Sequence, residues 1–125
     1  MGRYLIHYQA LAVAGVPVEK YALTSGTAVY SDPIPADYSS GFASLLFLSH
    51  TGIDDVDISF QVSLDGKNFY DPVDVDNNAL GVIFTAATAD KWISFGPTAC
   101  KWFRFKLDPD ANSNVSVYYI QQEKI

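Results

Sequence analysis

The chain has 125 residues, enough for one domain that buries roughly two-thirds of the surface its unfolded form exposes, and too few for a second. Hydrophobic residues make up 49% and aromatics 14%, while charged residues reach only 18%, below the roughly 25% usual for globular domains, so part of the apolar surface is expected to lie between subunits. A formal charge of -6 and a pI near 4.5 exclude a protein that grips nucleic acid through a clustered basic face, and no run reaches the ~18 apolar residues of a membrane span.

Residues 1–18 are apolar, rich in Ala, Val and Gly, and weakly patterned. They are expected to form an edge strand or an arm laid on a neighbouring subunit, with the sandwich proper over residues 19–125. The apolar stretch 8–18 is interrupted by Gln9, Gly15 and Pro17 and lacks a basic leader, so it does not read as a signal peptide. Short strands are expected over residues 4–9, 18–24 and 28–31, followed by a loop at 31–35, where Pro33 and Pro35 remove backbone donors.

The next stretch, 42–48, is almost continuously apolar, as in a strand covered on both faces. Residues 56–64 read VDISFQVSL, with Val56, Ile58, Phe60, Val62 and Leu64 on one side and Asp57, Ser59, Gln61 and Ser63 on the other. That period of two marks a half-buried strand. Asp65-Gly66 then suits a tight turn with positive φ. Shorter strands are expected at 69–72, 82–84 and 91–95.

Alternation returns at 101–107, where Phe103, Phe105 and Leu107 oppose Trp102, Arg104 and Lys106. After a turn at 108–112, residues 114–122 set Val115, Val117 and Tyr119 against Ser116, Tyr118 and Ile120. No apolar repeat of helical period competes. The expected fold is all-β, a two-sheet antiparallel β-sandwich of jelly-roll or immunoglobulin-like type with about eight strands.

No catalytic constellation emerges: there is no G-x-S-x-G elbow, H-E-x-x-H pair or phosphate-binding glycine loop. His7 and His50 lie too far apart in sequence for a ligand motif, and Cys100 has no second thiol with which to bridge. The acids of 54–57 and 71–76 belong to turns, and no enzyme activity, cofactor or resident metal is expected. Asp108, Asp110, Asn112 and Asn114 alternate as at the start of a calcium loop, but Ser113 stands where such a loop needs glycine and Tyr119 where it needs a bidentate glutamate.

Binding, then, is the expected mode of action. The aromatic and apolar residues Tyr4, Ile6, Tyr8, Tyr30, Tyr38, Phe69, Tyr70, Trp92 and Trp102 are candidates for an interface or for stacking on a sugar.

The segment Ser63-Leu64-Asp65-Gly66-Lys67-Asn68-Phe69-Tyr70 resembles the S-x-D-G-x-x-[FW] hairpin of galactose-binding-like (discoidin-type) β-sandwiches and of small virion proteins of tailed phages, and residues 99–107 are similar to the strand that commonly follows it. The resemblance covers about residues 56–121. It implies a virion component that decorates or cements a capsid, self-associating as a homo-oligomer such as a trimer and contacting a major capsid or other virion protein. Small size and the absence of catalytic groups agree with that reading. The alternative it implies is a carbohydrate-binding module, whose ligand loops cannot be matched to this sequence position by position.

Overall fold

The computed structural model describes residues 3–17, 19–36, 43–50, 55–87, 90–95 and 100–124, and among them there is no helix. Twelve strands form among the described residues. β1 (Tyr4–Ala10) is followed by five short pieces, β2 (Ala12–Val13), β3 (Val16–Pro17), β4 (Tyr21–Leu23), β5 (Val29–Tyr30) and β6 (Ile34–Pro35). Six longer strands complete the chain: β7 (Ala43–Ser49), β8 (Val56–Ser63), β9 (Val82–Ala87), β10 (Lys91–Phe95), β11 (Trp102–Pro109) and β12 (Ser113–Lys124).

One sheet runs β1-β12-β7-β10, with β4 continuing the β1 edge along β12; the other runs β5-β11-β8-β9, with β6 continuing the β5 edge along β11. All pairings are antiparallel, and one set nests, β1 with β12, β5 and β6 with β11, β7 with β10 and β8 with β9, while β12 with β7 and β11 with β8 join these pairs into the two sheets. A long antiparallel ribbon rolled up so that its two ends come to lie side by side gives this order, which is the jelly roll and not the immunoglobulin arrangement. The expected two-sheet sandwich is therefore present.

The expected count of about eight strands is corrected to twelve, because the stretch 12–35 does not run as two unbroken strands. Ala14 (φ 52°) and Gly15 (φ 80°) form a two-residue turn with both central residues left-handed, which closes the separate β2–β3 hairpin. Between β5 and β6 the ladder along β11 is interrupted at Ser31. Its buried hydroxyl accepts the Phe105 N–H at 2.8 Å, while the Ser31 N–H bonds the Phe105 carbonyl at 2.9 Å. Ile34 and Pro35, expected in a loop, pair with Phe103 and Trp102; proline is tolerated there because β6 lies on a sheet edge.

Alternation builds the core. Val56, Ile58 and Phe60 of β8, Phe103, Phe105 and Leu107 of β11, Leu45 and Phe47 of β7, and Val115 and Val117 of β12 meet between the sheets, all buried. Phe103 and Phe105 meet edge to face, with ring centroids 5.5 Å apart. Leu64 departs from the expected pattern: β8 ends at Ser63, and Leu64, released into the turn, is 79% exposed.

The connection from β8 to β9 has no long strand of its own, yet it is tightly organised. The Ser63 hydroxyl accepts the N–H groups of Asp65 and Gly66, and the Asp65 carboxylate accepts those of Lys67 and Asn68. Gly66 has φ 75°, and a Cβ there would lie 3.2 Å from the Trp102 indole. A second carboxylate, Asp74, collects the N–H groups of Asp76 and Asn78. These bonds to the ionised form hold both carboxyls below the ordinary aspartate range, Asp65 the more strongly.

Candidate interaction surface

With one face of each sheet committed to the core, the alternate residues of β1, β12, β7 and β10 point outward. The register sets Tyr8 opposite Ile120, Ala10 opposite Tyr118, Tyr118 opposite Leu46, and Leu46 opposite Trp92. Ile6, Tyr8, Leu46, Trp92, Tyr118 and Ile120 thus line one shallow groove of about 400 Å³. Ile6 is 62% exposed, Tyr8 73% and Trp92 64%. No ionisable side chain other than the two tyrosines lines this groove, so covering it requires little charge desolvation.

The groove is bordered by the backbone edge of β1, which pairs with β12 over seven positions and with no described strand on its other side. A free sheet edge beside an apolar face offers both directional hydrogen bonds and hydrophobic burial to another molecule.

Of the aromatic and apolar residues singled out in the sequence, Ile6, Tyr8 and Trp92 come together here. Tyr4 lies on β1 opposite Lys124, and Tyr38 falls outside the described residues. Phe69, Tyr70 and Trp102 belong to the other sheet's side of the sandwich. Trp102 packs over Gly66, Tyr70 bridges to Val62 and projects outward, and Phe69 stacks on Arg104. Sequence reading missed Leu46, Tyr118 and Ile120 as groove residues. Their outward parity was visible for β12, but the stretch around Leu46 was expected to be covered on both faces.

On the opposite face of the sandwich, β11 presents Arg104 and Lys106 beside Gln61 of β8 and Tyr30 of β5. The Arg104 guanidinium carbon lies 4.4 Å from the ring centroid of Tyr30 and 4.4 Å from that of Phe69. Its Nε donates to Gln61 Oε1 at 2.8 Å, and Gln61 Nε2 donates to Asp71 Oδ1 at 3.0 Å.

His50 Nε2 lies 2.7 Å from the Ser116 hydroxyl, but that hydroxyl donates to the Glu19 carbonyl, so the imidazole is the donor and does not activate the serine. Burial pushes the Cys100 thiol up, away from the reactive thiolate. In the 108–114 segment, Asp108 pairs along β11 with Asp57, Asn112 Oδ1 accepts the Ser25 N–H at 2.8 Å, and Asn114 pairs along β12 with Ala22. The Asp110 carbonyl accepts the Ser25 hydroxyl. Among the described residues no three His, Cys, Asp or Glu side chains gather as a metal site would require.

The fold and surface define a jelly-roll β-sandwich with an apolar outer sheet face. No protein-family model and no curated protein matches the chain. Among solved structures it is similar to the SPBc2 prophage-derived protein YomS, with a TM-score of 0.57 and 9% identity over 97% of both chains. It is also similar to a chain of infectious bursal disease virus Gt strain (TM-score 0.51, 8% identity) and to the D431N mutant VP2 protein of that virus from T=1 particles (TM-score 0.51, 7% identity). The similarity covers 97% of this chain in both cases but only 33% and 32% of the viral chains, so this chain spans about a third of their length. At such identities the likeness is one of fold.

Proposed function

We propose that this chain is a non-enzymatic structural protein of a phage or virus particle, a homo-oligomer that decorates or joins the capsid through the outer face of the β1-β12-β7-β10 sheet. The observation that carries the reading is the groove of Ile6, Tyr8, Leu46, Trp92, Tyr118 and Ile120 beside the open β1 edge. Likeness of fold to a prophage-derived protein and to VP2 from T=1 particles supports the virion setting.

Magnitudes favour association through this face. A large side chain contributes roughly 150–250 Å². With Ile6, Tyr8 and Trp92 each about two-thirds exposed, these three alone offer on the order of 300–400 Å², close to half of the ~800 Å² per partner of a standard interface. The β1 edge and the rest of the groove supply the remainder. A closed ring, of which a trimer is the simplest case, would cover edges that a monomer leaves open, and the same surface or its rim would meet a major capsid or other virion protein.

The test is size-exclusion chromatography with light scattering, followed by co-sedimentation with assembled capsids. Oligomers, or saturable capsid binding lost on changing Tyr8 and Trp92 to serine, support the proposal. A strict monomer that binds no capsid contradicts it.

A further inference from the structure

The face of the sandwich turned away from the groove carries a second, independent arrangement. Arg104 is held by three neighbours: its guanidinium carbon lies over the Tyr30 ring and over the Phe69 ring, 4.4 Å from each centroid, and Gln61 Oε1 accepts its Nε–H at 2.8 Å. Asp71 fixes the Gln61 amide by accepting from its Nε2, so the oxygen must face the arginine. The two terminal amino groups of Arg104 make no hydrogen bond to any other described residue. Lys106, the next outward position on β11, lies 5.9 Å from the Tyr30 ring and adds a second positive charge.

A guanidinium whose rotamer is already fixed has lost its side-chain entropy before any ligand arrives, and its free edge is a planar fork of N–H donors matched to the two oxygens of a carboxylate. We propose that Arg104 is a pre-formed receptor for a carboxylate carried on an acidic segment of a partner protein. A protein segment fits better than an acidic glycan. Sugar recognition by stacking needs free aromatic faces, and both Tyr30 and Phe69 turn a face to the arginine, with Lys106 also within reach of Tyr30. Asp71 repels an incoming anion, but its carboxylate is already engaged by Gln61, and Lys106 offsets its charge. The proposal does not rest on the apolar groove.

The experiment is a titration of a short polyglutamate peptide into the full-length, ¹⁵N-labelled protein, followed through the Arg104 Nε–H and Gln61 side-chain amide resonances. Polyglutamine is the uncharged control and polygalacturonate the glycan arm. Saturable shifts of both resonances with polyglutamate alone are expected, with affinity, read in the variant from the Gln61 amide, weakened about tenfold in Arg104→Lys, which keeps the charge and loses the fork. Phe69→Leu, which removes the ring above the guanidinium, should weaken binding as well and serves if the first variant does not fold. Equal affinity in wild type and Arg104→Lys, shifts that never saturate, or preferential binding of polygalacturonate would each overturn the assignment.

Discussion

Trp92 on β10 stands directly across from Leu46 on β7, and Leu46 directly across from Tyr118 on β12, so one row of apolar side chains crosses the sheet on its outer face. Because Trp92 is 64% exposed and lies outside the buried core, its loss should affect association more than folding. Trp92→Ser is expected to change unfolding free energy by no more than about 0.5 kcal/mol, measured by urea denaturation below the concentration at which the chain associates, while raising the dissociation constant of the oligomer at least tenfold.

Gly66 and Trp102 make the opposite case, a surface turn that matters to stability. Gly66→Ala would place a methyl 3.2 Å from the indole at a φ of 75°. A cost of about 1–2 kcal/mol is expected from the left-handed backbone and the displaced ring, read from urea unfolding together with a shift in Trp102 fluorescence in a Trp92→Phe background.

Ser31 bridges the gap between β5 and β6. Ser31→Ala would remove the hydroxyl that accepts the Phe105 N–H at 2.8 Å in a buried position. Destabilisation of about 1–3 kcal/mol follows from the loss of that buried hydrogen bond. By contrast, the buried Ser113 hydroxyl has no hydrogen-bond partner among the described residues, so Ser113→Ala should be neutral or slightly stabilising in the same assay.

Acid should loosen the β8–β9 connection late. Both Asp65 and Asp74 are held below the ordinary aspartate value of 3.8 by hydrogen bonds to their ionised form. A depressed folded-state value means that their contribution is fully present above the unfolded value and is lost as pH falls through the folded one. The side-chain amide resonances of Asn68 and Asn78, which donate to these carboxylates at 2.7 and 3.0 Å, should stay in place as pH drops to about 3.8 and move only below it. In Asp65→Asn the Asn68 response should vanish.

Period-two alternation made β8, β11 and β12 legible in the sequence, since one buried face per strand leaves a parity that is regular in residues 102–109 and 56–60 and is broken further on only by the buried Ser63 and Ser116. Aromatic and apolar character, not periodicity, placed Ile6, Tyr8 and Trp92 among the interface candidates. The short pieces β2 to β6 were harder to read. A strand of two residues carries no period, and β6 forms on a sheet edge where Pro35 needs no donor. The groove itself depends on cross-strand register between residues as distant as Ile6, Leu46, Trp92 and Ile120, and register is a long-range property. The Arg104 clamp is similar: Phe69 reaches the arginine because the loop ordered by Asp65 folds back along β8, a path that local propensity does not encode.

Sedimentation velocity of the wild-type chain beside a Tyr8→Ser/Trp92→Ser variant tests the central claim most directly. The wild type should sediment as a closed oligomer of the 13.7 kDa chain, and the variant as a folded monomer with the same β-sheet circular dichroism. Identical monomeric profiles for both across the concentration range would contradict the assignment of this sheet face to assembly.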